Sequence, residues 1–124
     1  MITTPDVMQQ ITFLHADNLE AVRHFYCDVL GLPLARDQGA CLIFRVTETA
    51  FLGFCNHIET IPSGRKVILT LVSNEVDKWY QALKTREISN ITPPKNNPDY
   101  QIYHFFLQDP NGYWIEIQRF ESPL

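Results

Sequence analysis

Two histidines and a glutamate stand in strand-like, aromatic-rich stretches of this 124-residue chain. Alternation along a strand puts Trp114, Glu116 and Gln118 on one face of segment 113–120, with Tyr113, Ile115 and Ile117 on the other. The same parity groups Ile102, His104 and Phe106 in segment 101–108, and Ile11, Phe13 and His15 in segment 9–16. A carboxylate beside an imidazole is a general acid–base pair when the two share a proton. The same donors also suit several divalent ions, so the two histidines and Glu116 are equally a candidate metal set. Each has a plainer role. Glu116 fits a carboxylate at a sheet margin held by water or a cation, His15 a rim histidine before a helix start, and His104 a satisfied, half-buried histidine. His24 and His57 read as surface residues, and the Arg65–Lys66 pair as a solvated loop that would otherwise attract an anion.

The elements that must position these groups follow from hydrophobic periodicity. Segment 9–16 reads as a strand and 17–30 as a helix, in which Asp17 and Glu20 have capping-box spacing. Leu19, Val22, Tyr26, Val29 and Leu30 make its apolar stripe, and Gly31 with Pro33 ends it. Strand-like segments follow at 32–37, 40–46 and 50–56, and the polar stretch 57–64 reads as a linker. The order then repeats: a strand at 67–72, a helix at 74–86 capped by Ser73 or Asn74, a short strand at 88–92, a loop at 95–99, and strands at 101–108 and 113–120. Trp79 and Tyr80 lie on the apolar face of the second helix and read as core. Asp109-Pro110-Asn111-Gly112 has the residue order of a type I turn. Strand, helix and three strands therefore occur twice, an α+β pattern of two βαβββ modules at 9–56 and 67–120 in a single domain.

Bulk properties exclude several function classes. A formal net charge of −4 is wrong for a nucleic-acid surface, which needs clustered Lys and Arg. No apolar run approaches the roughly 20 residues that span a bilayer, and the start of the chain lacks a secretory signal's basic and apolar parts. Cys27, Cys41 and Cys55 are odd in number and lack C-x-x-C spacing, so they read as reduced thiols, small core hydrophobes of a cytoplasmic protein.

Residues 18–34, NLEAVRHFYCDVLGLPL, resemble the D-L-x-x-x-x-x-F-Y-x-x-V-L-G-L signature of the vicinal oxygen chelate family, and residues 105–117, FFLQDPNGYWIEI, resemble that family's F-x-D-P-x-G-x-x-I-E-L hairpin. The family spans glyoxalase I, thiol transferases, extradiol dioxygenases, an epimerase and metal-free bleomycin-binding proteins, so the fold does not fix the function. The resemblance implies two modules whose sheets curve around a small-molecule cavity, and a homodimer. It turns the faces carrying Phe13, His15, His104, Phe106 and Trp114 toward that cavity. It also places metal-ligand positions on Ile11, Gly53, Ile68 and Glu116, of which Glu116 alone has ligating atoms.

The reading that follows is a metal-free small-molecule-binding protein, with a divalent metal disfavoured by the missing ligands. Phe13, His15, His104, Phe106 and Trp114 would form the pocket, with Glu116 and His104 as the candidate catalytic groups and Glu116 as the one metal-ligand position the resemblance retains. Two alternatives stand beside it: a metal-dependent lyase, isomerase or dioxygenase with non-standard ligands, and a metal-free acid–base enzyme using Glu116 or a histidine. No nucleic-acid or membrane partner is expected.

Overall fold

The computed structural model describes residues 5–57 and 67–122, arranged as two compact units, Met1–Thr60 and Ile61–Leu124. Most of the expected linker and the Arg65–Lys66 pair lie outside the described residues.

The first unit runs β1 (Gln10–His15), α1 (Leu19–Arg23), β2 (Leu34–Asp37), β3 (Cys41–Arg45) and β4 (Ala50–Cys55). Its sheet has the order β1-β4-β3-β2, with β1 parallel to β4 and the other pairs antiparallel. The expected single helix over 17–30 is instead a short α-helix that widens into a π-helical turn over His24–Val29, where the Leu30 N–H reaches back five residues to the Phe25 carbonyl. The wider turn puts adjacent Phe25 and Tyr26 both under cover, and Phe25 joins a core that the periodic stripe had omitted. The Tyr26 ring lies 4.5 Å from Phe54 and 5.5 Å from Phe44. The cap is Asn18, whose side chain accepts from the Ala21 N–H, rather than Asp17. Asp17 has another partner, the Nε2 of His15 at 2.7 Å.

Cys41 and Cys55 correct the expectation of reduced thiols. They face each other across β3 and β4, with Cα atoms 4.1 Å apart, and are joined as a disulfide, whereas Cys27 is free. A rule based on near-neighbour spacing cannot see a pair created by strand register.

The second unit runs β5 (Ile68–Val72), α2 (Val76–Leu83), β6 (Lys95–Asn97), β7 (Ile102–Gln108) and β8 (Trp114–Phe120), with sheet order β5-β8-β7-β6 and β5 parallel to β8. Helix α2 covers one face, where Phe105, Leu107, Ile115 and Ile117 are buried and Tyr80 meets Phe105 edge-on. Tyr80 and Trp79 are half-buried. The helix is shorter than the expected 74–86 and spans its apolar stripe alone, with Glu75 rather than Ser73 or Asn74 at its N-cap, and the left-handed residue beyond it is Asn90 (φ 54°), a type that tolerates this conformation. The fourth strand is also displaced from its expected place. Segment 88–92 forms no ladder but a bridge from Ser89 to Gln108, a side-chain bond from Asn90 to Gln108 and the bonds of Thr92 to Phe106, while polar Lys95–Asn97 pairs with β7. Pro93 and Pro94 have no N–H for a ladder, so regular pairing begins after them. Three polar residues suit an edge strand, which gains by discouraging further pairing. No helix among the described residues is long and apolar enough to cross a membrane.

Candidate functional site

The turn between β7 and β8 sets the register on which the site depends. The Asp109 carboxylate accepts from the backbone N–H groups of Asn111 and Tyr113, at 2.9 and 2.8 Å, and from the Asn111 side chain at 3.0 Å. The Gly112 N–H closes the turn onto the Asp109 carbonyl, and Gly112 has φ 86°, a conformation that costs a residue with a Cβ about 1 kcal/mol. With this register Glu116 lies between Thr70 of β5 and Phe106 of β7, and His104 is paired with Gln118.

Their side chains share the sheet face opposite α2 and form a closed network. His104 Nδ1 lies 2.7 Å from Glu116 Oε2, and the Thr70 hydroxyl donates to Oε1 at 3.0 Å. With its amide nitrogen turned to the carboxylate, Gln118 donates to both oxygens at 3.2 Å. His104, Glu116 and Gln118 are all buried, at 4%, 9% and 6% exposure. A buried carboxylate is costly unless hydrogen bonds replace its water, and three donors do so here. Acceptance from Nδ1–H leaves Nε2 of a neutral imidazole with its lone pair. That atom is buried and has no hydrogen-bond partner among the described residues.

These groups floor a cavity of about 410 Å³ whose walls are mainly apolar, with Ile68, Ile102, Tyr100, Phe106 and Phe120 around His104, Glu116 and Gln118. Of the residues expected at the site, His104, Phe106 and Glu116 come together here. Trp114 does not line this cavity. It shares the strand parity but sits at the far end of β8, edge-on to Phe106 at 6.1 Å. Gln118 and Phe120 continue the alternation from Glu116 and were legible in it. Asn97 comes from the stretch read as loop, Tyr100 stands between that loop and the next strand, and neither carried a signal.

Phe13 and His15 belong to the first unit. That unit has a cleft of about 200 Å³, lined by Ile11, Arg36, Arg45 and Phe51 among others. Phe13 lies across Gly53, its partner in the β1–β4 register, so closely that a Cβ built on Gly53 would fall 2.4 Å from the ring. The ring therefore fills the space that a side chain at position 53 would need.

The family model of the Glyoxalase/Bleomycin resistance protein/Dioxygenase superfamily matches residues 8–117. The chain belongs to this superfamily. Solved structures agree on the fold of the glyoxalase/bleomycin-resistance type. A glyoxalase/bleomycin resistance protein/dioxygenase from Nocardioides superposes with a TM-score of 0.77 at 21% identity, covering 98% of this chain and 89% of its own. TnmS3, an antibiotic-binding protein from Streptomyces sp. CB03234, gives 0.80 at 21% identity, covering 94% and 98%. A lactoylglutathione lyase from Agrobacterium tumefaciens gives 0.72 at 21% identity, covering 94% and 96%. No curated protein matches the sequence. At these identities the superfamily's fold is shared by binding proteins and enzymes alike, so function must be argued from the site.

Proposed function

We propose that this chain binds a small, planar and largely apolar molecule in the second unit's cavity, without a metal, with His104 as the polar anchor. One observation carries the reading: the Glu116 carboxylate is engaged by Thr70, His104 and Gln118, while Nε2 of His104 is left for a ligand. The donor set does not fit the family's metal. Three ligand positions are Ile11, Gly53 and Ile68, the space over Gly53 is taken by Phe13, and both oxygens of Glu116 accept protein hydrogen bonds. A divalent ion holds poorly on one carboxylate, and this one already accepts from Thr70 and His104. An aromatic and aliphatic wall with one convergent polar group is the usual make-up of a small-molecule site. The structural likeness to an antibiotic-binding protein is in keeping with such a role. A ligand with a hydroxyl or N–H donor would satisfy Nε2, and a homodimer is the expected setting.

A second reading rests on the same pair. An imidazole oriented by a buried carboxylate is a general base, so a ligand with an acidic proton at Nε2 would be a substrate.

Comparison of 2-naphthol with 2-methoxynaphthalene by calorimetric titration tests the binding reading. Wild type is expected to prefer the naphthol, and His104→Ala to weaken its binding about 10-fold, the scale of one buried hydrogen bond. Absence of binding by either compound up to millimolar concentration, or equal affinity for both, would overturn it. Slow exchange of the ligand's acidic protons, catalysed by wild type and lost in His104→Ala, would favour the enzyme.

A further inference from the structure

At one end of the first unit's sheet, Cys41 opens β3, Cys55 closes β4, and His57 follows two residues later. The two sulfurs and a His57 ring nitrogen all lie within 4.8 Å of one another, and Nδ1 is 3.8 Å from Cys41 Sγ. We propose that Cys41, Cys55 and His57 form a redox-gated site for a zinc-type divalent ion, able to bind as a dithiol and shut as a disulfide.

The backbone is already arranged for this. Cys41 and Cys55 are direct register partners; the Cys41 carbonyl accepts from Gln38, and the Cys55 carbonyl from Ala16. Reduction therefore leaves the two thiols facing each other. In a tetrahedral zinc site, neighbouring thiolates stand about 3.8 Å apart and a thiolate and imidazole nitrogen about 3.6 Å. The histidine is close to that spacing now, and the sulfurs reach it by side-chain rotation once their bond is broken. Cys41 and Cys55 are buried at 7% and 2% exposure while His57 is exposed, so the imidazole is the group that meets solvent first. Three protein ligands leave the fourth position to water.

The chemistry balances without an oxidant. A dithiol reductant attacks the more exposed Cys41 Sγ, and Cys55 leaves as a thiolate. The reductant's second thiol then resolves the mixed disulfide, so two electrons and two protons enter the protein. Metal binding releases the two thiol protons as both sulfurs ligate. In a reducing compartment a reversible cysteine pair is more often a sensor or metal site than a staple.

The test is titration of Co²⁺, then Zn²⁺, into the full chain, reduced anaerobically with a phosphine and then freed of it, beside the same chain left oxidised. The expected result is a thiolate-to-cobalt charge-transfer band in the reduced chain alone, saturating at about one ion per chain with two protons released. Cys41→Ser or Cys55→Ser should remove the band, and the exposed His57→Ala should weaken binding at least about 10-fold, the order of one lost ligand. No band in reduced wild type, a band that survives Cys41→Ser/Cys55→Ser, or failure of the phosphine to release two thiols would each overturn the proposal. Wild type in its two redox states carries the main comparison, so a variant that folds poorly does not decide the outcome.

Discussion

Glu116 can serve an ion or an imidazole, and in this structure His104 lies on one of its oxygens and Thr70 on the other. Thr70, His104 and Gln118 surround the carboxylate with donors, an arrangement that replaces its water and holds the histidine ring in place. Glu116→Gln separates these roles. Its amide oxygen can still accept from Nδ1, and Gln118 can rotate to present its oxygen to the new amide nitrogen. The network thus survives with one mismatch at Thr70, whose hydroxyl can turn to accept. The variant is expected to fold, to lose about 1–2 kcal/mol of stability in urea unfolding, and to bind 2-naphthol several-fold more weakly because the imidazole loses its charged partner. If affinity rose, or if wild type but not the variant carried stoichiometric zinc at this site, the carboxylate's job would be metal binding after all. The position of Glu116 was legible in the sequence because the Asp109–Gly112 turn fixes its register. Its saturation was not. That depends on Thr70, which reaches Glu116 only through the parallel pairing of β5 with β8, 46 residues away in sequence.

Strand elements were read more successfully than helices, for a physical reason. Alternation marks β7 and β8 within one residue of their limits, whereas α1 ends in a π-helical turn that no 3.6-residue stripe describes. Lys95–Asn97 carries no strand signal because an edge strand needs no apolar residues, and the β-branched run of 88–92 stops at two prolines before a ladder can form. The disulfide was illegible for the same reason as the Glu116 network: both arise from cross-strand register. Gly53 gives that register a measurable consequence. A glycine within a strand is weak unless something packs on its bare backbone, and here Phe13 does so. Gly53→Ala should cost about 1 kcal/mol, since the ring, 44% exposed, can swing outward rather than force the backbone apart. In a Phe13→Ala background the same change should become neutral or stabilising by about 0.5 kcal/mol, because alanine then replaces glycine in open space. A double-mutant cycle in urea would read a coupling of about 1 kcal/mol or more. Additive effects would mean that Phe13 does not pack on Gly53 in solution.

At the level of the whole molecule, each unit leaves its parallel-paired strand at the edge of its sheet, and each such strand exposes large apolar side chains. On β1, Ile11 and Phe13 are 39% and 44% exposed; on β5, Ile68 and Val72 are 55% and 60% exposed. Natural edge strands are usually short, charged or covered, because an apolar edge invites association. Neither β1 nor β5 has a Lys, Arg, Asp or Glu, and the polar residues are Gln10, Thr12 and His15 on β1 and Thr70 on β5. The sequence resemblance implies a homodimer, and this pattern supplies a physical reason for a second copy to cover these positions. Burial of a side chain the size of valine or phenylalanine is worth roughly 1.5–3 kcal/mol, so a few such positions can support micromolar association. Sedimentation equilibrium at micromolar protein is expected to give twice the chain mass. Val72→Lys, at a position that does not line the cavity although its backbone pairs with Gln118, should shift the chain toward monomer by about 10-fold or more in dissociation constant, with urea unfolding as a control for the intact fold. A monomer for wild type at every concentration up to millimolar would show that these side chains are ordinary surface residues and that the site works within one chain. A dimer indifferent to Val72→Lys would move the interface off β5 and leave β1, with Phe13, as the place to look.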